Sequence, residues 1–226
     1  MKSGCQTTNQ RLAAFLLLAL SALCVPASAQ SPHITSVAPA PAGYGQVVAI
    51  RGTNLFYGGT LGVTAVEFRY TTLTSAFGTI LAGVSSPTTL YVRTPQPVAT
   101  AGTPLNTVRI RATDPSLAGS NEVALQLNNG NTAPVLRNAY AQPDSSCANS
   151  PGATPATTTS ASQWLALAAD GIDFTGNTVT FTSGAGSFVV NSPCTVANPT
   201  LGLAAVVQVP AGAGGSGPLQ ITISTG

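Results

Sequence analysis

Side chains that could carry out catalysis are few in this chain. Its 226 residues include four cysteines, a single histidine (His33) and six acidic residues. General acid–base catalysis needs paired titratable groups in a cleft, and nucleophilic catalysis needs a base beside the nucleophile. The spacing of these residues suggests no such set. We therefore expect a protein that is not an enzyme and that uses no cofactor.

Cys147 and Cys194 are the cysteines whose context predicts a disulfide. Cys5 and Cys24 lie in a stretch that resembles an export leader, so export would leave an even pair in an oxidising compartment. A redox or metal-binding pair is the alternative, but the spacing is not CxxC and His33 lies far away along the chain. A disulfide that closes the loop between Cys147 and Cys194 would stabilise the fold by roughly 4 kcal/mol.

The acidic residues Asp170 and Asp173 follow an apolar run and, with a nearby asparagine, could offer oxygen ligands to calcium. A structural turn is the alternative that we favour. Gly171 and Asp173 stand where Gly52 and Asn54 stand in an earlier, similar stretch, and a short polar side chain there can bond the turn backbone without an ion. We expect all four of these turn positions to be structural, with glycine present to allow a positive φ.

Trp164 and Tyr57 are the aromatic residues that could stack on a sugar. Trp164 is the only tryptophan and lies in an apolar run, where core packing is more common than ligand contact. Tyr57 precedes two glycines and suits an exposed loop, although such a tyrosine commonly just completes a turn. A carbohydrate-binding module that recognises an extracellular glycan is therefore an alternative function.

Residues 1–29 have the features of a cleaved signal peptide. Basic residues precede an apolar run, and small residues at positions 27–29 precede Gln30. The run is too short to span a bilayer comfortably and no later run is long enough, so we expect a secreted or cell-surface protein without a membrane span. A lipid anchor at Cys24 is the alternative, but Leu23 stands where that signal favours a small residue.

Charge in the exported chain is sparse and balanced. Export would remove two of the eight basic residues and leave six basic and six acidic ones. Nucleic acids and anionic membranes are bound by concentrated positive charge. The composition therefore argues against a nucleic-acid partner and against binding to a membrane surface.

Short runs of β-branched or alternating residues predict strands throughout the exported chain, and no helix. We call residues 32–127 the first half and residues 135–226 the second half. The predicted strands are 34–37, 46–51, 63–70, 88–93, 107–112 and 122–127 in the first half, and 135–139, 163–168, 178–182, 187–190, 204–209 and 219–223 in the second. Alternation with apolar residues predicts that Glu67, Arg69, Arg109 and Arg111 face water.

Two segments lack strand patterns. Residues 128–134 are rich in turn formers and form a predicted linker between the halves. Residues 143–160 are an 18-residue polar insertion that has no counterpart in the first half. Because such a segment cannot build a core, its tether through Cys147 gives the predicted disulfide a physical purpose.

The two halves have the features of one module written twice. An apolar strand, a glycine, an Asn or Asp and an aromatic residue occur in that order at 47–56 and at 164–174. This repeat predicts two small β-sandwiches in tandem. Further elements of the first half follow in order: Ile34-Thr35-Ser36-Val37-Ala38-Pro39, Gly45, Gly52-Thr53-Asn54-Leu55-Phe56, Leu90-Tyr91-Val92-Arg93-Thr94-Pro95, Val108 to Ala112 and Ser120-Asn121-Glu122.

This order of elements resembles the IPT/TIG family, the immunoglobulin-like module of plexins, some transcription factors and many bacterial surface proteins. The second half is similar but more diverged. The resemblance implies two immunoglobulin-like β-sandwiches and a non-enzymatic role as an extracellular spacer, adhesion or protein-interaction module, with an extracellular protein or glycan as partner.

The predicted strand 219–223 has no counterpart of the closing strand 122–127 after it. An unclosed sandwich exposes unpaired backbone donors and acceptors. We therefore expect this C-terminal edge to mediate self-association or the addition of a strand from a partner. A truncated gene product is the alternative explanation.

The mature protein is expected to begin at Gln30, because signal peptidase cuts after small residues such as those at 27–29. N-terminal sequencing of protein isolated from the export compartment checks this. A mature chain that retains residues 1–29, or one that carries a lipid on Cys24, would contradict it.

Overall fold

A computed structural model of the chain describes residues 31–55, 63–69, 75–96, 107–112, 119–198, 200–214 and 217–225. The predicted signal peptide and Tyr57 lie outside the described residues. Within those ranges the chain forms strands and two short 3-10 turns, with no α-helix. The predicted all-β fold, built from antiparallel sheets packed as sandwiches, is confirmed. None of the described elements is a helix long and apolar enough to cross a bilayer.

One folded-over sheet makes the first half. Its strands are β1 (His33–Ala38), β2 (Ala42–Gly43), β3 (Val47–Thr53), β4 (Val63–Arg69), β5 (Ser75–Ile80), β6 (Thr89–Arg93), β7 (Thr107–Ala112), β8 (Glu122–Ala124) and β9 (Leu127–Asn128). Seven of them are ordered β1-β3-β6-β5-β4-β7-β8, and β2 pairs separately with β9. Because the start of β5 pairs with β4 and its end with β6, the sheet turns over at β5 and forms two layers.

The first core lies between those layers. β3 and β6 contribute residues such as Val48 and Val92, and β4 contributes Val66 and Phe68, all fully buried. Asn121, which directly precedes β8, joins the two end strands of the sheet, β8 and β1. Its side chain accepts a hydrogen bond from the Ile34 N–H of β1 at 2.7 Å and donates one to the Ile34 carbonyl at 2.9 Å. An amide side chain thus supplies the two bonds that a neighbouring strand would make.

Two facing sheets make the second half. Its strands are β10 (Val135–Gln142), β11 (Trp164–Asp170), β12 (Asn177–Ser183), β13 (Gly186–Asn191), β14 (Cys194–Asn198), β15 (Gly202–Gln208) and β16 (Gln220–Thr225). One sheet is ordered β10-β11-β15-β14 and the other β13-β12-β16. Leu167 and Val207 from the first of these sheets and Phe181 and Ile223 from the second belong to the core between them.

The polar insertion covers the outer face of the four-stranded sheet. The disulfide between Cys147 and Cys194 is present, as predicted, with its Cα atoms 6.1 Å apart. Both cysteines and Trp164 pack on a small cluster that includes Ala166 and Val206. The insertion also donates backbone hydrogen bonds from residues 152 and 156 to the outer edge of β10, each 2.8 Å long. Strands β11 and β15 are therefore buried on both faces.

The described residues of the two halves, between 31 and 225, belong to one compact unit. Val47, Ala49 and Tyr91, on the outer face of the first half, are buried in the same cluster as Leu165 and Leu167 of the second. Strand β3 therefore contributes alternate residues to two cores. The assignment of residues 128–134 as a domain boundary stays a prediction.

Three features of the first half and of β14 differ from the expectations. Strands β5 and β14 were not predicted, because β5 is interrupted by Gly78 and β14 follows a proline. The prediction that Glu67 faces water is wrong, since the residue is 3 % exposed. Arg109 covers it and donates a 2.7 Å hydrogen bond to its carboxylate. Arg69 pairs with Glu122, which compensates a second charge on this layer.

The two repeat glycines, Gly52 and Gly171, are required for different structural reasons. Gly171 has a φ of +93°, the left-handed conformation that glycine permits. Gly52 does not, and the positive φ falls instead on Asn54, at 58°. Gly52 is required by close approach, since a Cβ atom there would lie 1.9 Å from the carbonyl oxygen of His33 in β1.

Replacing Gly52 by alanine is expected to lower the free energy of unfolding by about 2 kcal/mol, because β1 must move away from β3 to admit the methyl group. Urea unfolding followed by tryptophan fluorescence measures this. Gly83→Ala is the matched control, since a Cβ there meets nothing within 4 Å. Equal stability of the two variants would contradict the packing argument.

Candidate functional site

A buried carboxylate joins the two halves. Asp170 ends β11, is 2 % exposed, and accepts hydrogen bonds of 2.7 and 2.8 Å from Arg51 of β3. Arg137 of β10 adds a contact of 3.1 Å to the same carboxylate, and it also donates to the Tyr91 hydroxyl at 3.2 Å. Two guanidinium groups thus compensate one buried charge. Burial raises the pKa of Tyr91.

A second ion pair lies nearer the surface. Arg93 of β6 donates two hydrogen bonds of 2.7 Å to the Asp173 carboxylate. Hydrogen bonding from Arg93 is the main reason why the pKa of Asp173 is lowered. The Asp173 carboxylate also accepts from the backbone N–H of Phe174, as expected for a turn residue. Asn177 bonds the Asp173 backbone in both directions.

The calcium alternative needs carboxylates that a cation can reach. Asp170 and Asp173 are instead bound by the guanidinium groups of three arginines. The described residues contain no group of three or more His, Cys, Asp or Glu side chains that could hold a metal ion. The acidic pair therefore has an architectural use in this fold, and it sets how the halves are oriented.

Gln46 ties the predicted linker to both halves. Its side-chain oxygen accepts from the N–H groups of Gly43 and Thr132, and its nitrogen donates to the carbonyls of Thr132 and Gly171, over 2.7 to 3.1 Å. The side chain is buried, so these bonds satisfy its oxygen and both of its N–H groups. The linker at Thr132 is thereby fixed against the first half.

Trp164 lies at the start of β11 and is half-buried. It packs on the cluster that contains Tyr140, Leu201 and the disulfide. This agrees with the packing interpretation of its apolar run. Tyr57, the other residue proposed for ligand contact, lies outside the described residues, so the structure does not bring the two together.

Strand β16 has a neighbour on one side within the described chain. It pairs with β12 in antiparallel register, from Gln220 opposite Thr182 to Thr225 opposite Asn177. Its exposed residues alternate with less exposed ones, and Ile223 points into the core. The other side of β16 carries backbone groups that can pair with a further strand.

A cavity of about 610 Å³ opens beside the start of β16. Its walls include Ile221 of β16, Leu219 just before that strand and Leu165 of β11. The end of the insertion, around Ala161, forms a further wall. The lining residues are small, aliphatic or hydroxyl-bearing, and none of them is ionisable or aromatic. The cavity and the open side of β16 together form the candidate site.

Sequence reasoning missed most of this geometry. Arg51, Arg93 and Arg137 were given no role, because the partners of Arg51 and Arg93 lie in the other half, and Asp170 lies far from Arg137 along the chain although β10 and β11 are neighbours. The one available signal was the balance of charge, since six acidic and six basic residues in an otherwise uncharged chain suit mutual pairing. The open edge stays a prediction from the repeat, whereas the cavity beside β16 has no signature in sequence.

A search against protein-family models found no match. Neither did a search against curated proteins. The resemblance to the IPT/TIG family therefore stays a prediction carried by the residues quoted above.

Replacing Asp170 by asparagine is expected to lower the free energy of unfolding by about 3 kcal/mol, since it leaves Arg51 and Arg137 without their buried counter-charge. Thermal and urea unfolding at neutral pH measure the change. Asp144→Asn is the control, because Asp144 is exposed and bonds only within its own turn in the described structure. This substitution is expected to lower the free energy of unfolding by less than about 1 kcal/mol. If the two variants unfolded alike, the ion pair would not join the halves.

Proposed function

We propose that the chain is a secreted, non-enzymatic protein-interaction module that binds an extended segment of another protein along the open side of β16. The observation that carries this proposal is the edge itself. β16 is a six-residue strand whose backbone is paired on one side in the described chain, next to a cavity whose described lining residues are uncharged. Strand addition to such an edge uses backbone hydrogen bonds for affinity and side-chain pockets for specificity.

The remainder of the molecule supports a binding role. The junction at Asp170 and the shared core make the two halves one body, so a partner held at β16 is held at a fixed orientation to the first half. Most described acidic side chains are already paired with arginines. These charges are therefore neutralised within the chain, which favours recognition of a partner through backbone hydrogen bonds and apolar contacts over recognition through charge.

The resemblance to IPT/TIG domains supports adhesion or protein interaction as the class of function. The carbohydrate-binding alternative receives less support, because a sugar ring is commonly held by an aromatic face. Trp164 is engaged with the disulfide cluster, and no aromatic residue is among those that line the cavity.

The proposal predicts that labelled mature protein binds the surface of source-organism cells and that Thr222→Lys reduces this binding about tenfold. Thr222 is exposed in the middle of β16, and a lysine on an edge strand opposes pairing with another strand. Flow cytometry of labelled protein on intact cells measures the effect.

Val189→Lys is the matched control, because Val189 is 66 % exposed on β13, the opposite edge of the same sheet. Its binding is expected to equal that of the unaltered protein. Protease treatment of the cells is expected to abolish binding, whereas periodate oxidation of surface glycans leaves it intact. Binding that survives protease but not periodate would overturn the proposal in favour of a glycan ligand.

A further inference from the structure

The cavity beside β16 lies where the first half holds its own closing strand. β4 in the first half and β12 in the second occupy equivalent places. Each carries a Val-x-Phe sequence, and each pairs with a later strand of its own layer, β7 and β16 respectively. Phe68 of β4 is opposite Val108 of β7, and Phe181 of β12 is opposite Ile221 of β16. Ile221 is therefore the counterpart of Val108.

In the first half, Val108 has a second neighbour. It pairs with Val123 of β8 on the side away from β4. The chain continues past this point and buries Leu125 and Leu127 in the first core, at 1 % and 2 % exposure. Because alternate residues of an extended chain face the same side, Val123, Leu125 and Leu127 form one apolar row that closes the sandwich.

The same register places the cavity of the second half where a row of this kind would lie beside β16. A strand antiparallel to β16 with one residue opposite Ile221 would pass Leu219 two residues later and Gly217 four residues later. Both residues line the cavity. The cavity thus lies at the positions that Leu125 and Leu127 fill in the first half.

The opposite wall agrees with this register. Ala42 and Ala161 each stand ten residues before a repeat glycine, Gly52 and Gly171 respectively. In the first half, the Ala42 N–H donates to the carbonyl of Gln126, inside the closing strand, at 3.0 Å. In the second half, Ala161 lines the cavity.

Resting on the proposed function, we infer that the segment bound at β16 is an extended strand of a separate protein, antiparallel to β16, with apolar residues at three alternate positions that fill this cavity. An inward charged residue would lose its hydration without a partner, since none of the described residues that line the cavity is ionisable. A second copy of this chain is not the source, because its own Val123, Leu125 and Leu127 already pack in the core of its first half.

The probe is a fluorescein-labelled synthetic peptide with the sequence of residues 120–128, which holds Val123, Leu125 and Leu127 in the required spacing. It is expected to bind the full mature protein saturably in fluorescence anisotropy. A peptide with Leu125→Asp is expected to bind at least about tenfold more weakly, whereas a peptide with Glu122→Gln, outside the row, binds equally.

A protein variant separates the cavity from every other binding place, including exchange of the peptide into the first half. Gly217→Phe is expected to weaken peptide binding about tenfold, because a side chain grown from Gly217 occupies the cavity. A Cβ at Gly217 meets nothing within 4 Å, so the substitution introduces no clash at the β-carbon. Gly83→Phe is the control, because Gly83 has equal space in the distant 3-10 turn (Ala82–Val84) and its variant is expected to bind normally.

Amide exchange reports whether the bound segment pairs with the backbone of β16. Alternate amides of β16 face away from β12 and exchange fast in the free protein, and the peptide is expected to slow them. Slowed exchange without sensitivity to Leu125→Asp or Gly217→Phe would overturn the inference about the cavity and leave the edge-binding function standing. Failure of the peptide to bind, or light scattering that shows a dimer abolished by Gly217→Phe, would also overturn the inference, the second result in favour of another copy of this chain.

Discussion

Burial of β3 on both of its faces joins the molecule together. Val48 and Ile50 pack in the core of the first half, while Val47 and Ala49 pack in the cluster shared with the second half. A strand with two buried faces must be apolar at consecutive positions, which is why Val47 to Ile50 reads as a continuous run. Movement of one half relative to the other would expose this strand, so the orientation of the halves is part of the fold.

Buried charge gives that orientation its direction. Apolar faces slide on one another at little cost, whereas Asp170 is satisfied only when Arg51 and Arg137 both reach it. Gln46 acts in the same way with neutral hydrogen bonds, since its amide is satisfied only when Thr132 and Gly171 are in place. Packing therefore supplies the area of contact, and these polar groups select one register of contact from many.

Local patterns predicted most strands but not their partners. β-branched alternation located β4, β7 and β12 well, because half-buried strands carry a period of two. It failed for Glu67, where the period is kept but the polar face is covered by Arg109. Contacts such as that of Arg51 with Asp170 join residues far apart in sequence, and no local pattern encodes them. The expectation of an unpaired edge at β16 came from comparing one half with the other along the repeat, and it stays a prediction.

The covered outer face of the second half has a consequence for assembly. Ala166 and Ala168 hold the places in β11 that Val47 and Ala49 hold in β3, ahead of the repeat glycine. The second half covers the outer face at β3, whereas the insertion, clamped by its disulfide, covers the outer face at β11. A further module could not stack on β11 as the second half stacks on β3. The insertion therefore acts at β11 like the cap of a solenoid, because it covers the face on which another unit could stack.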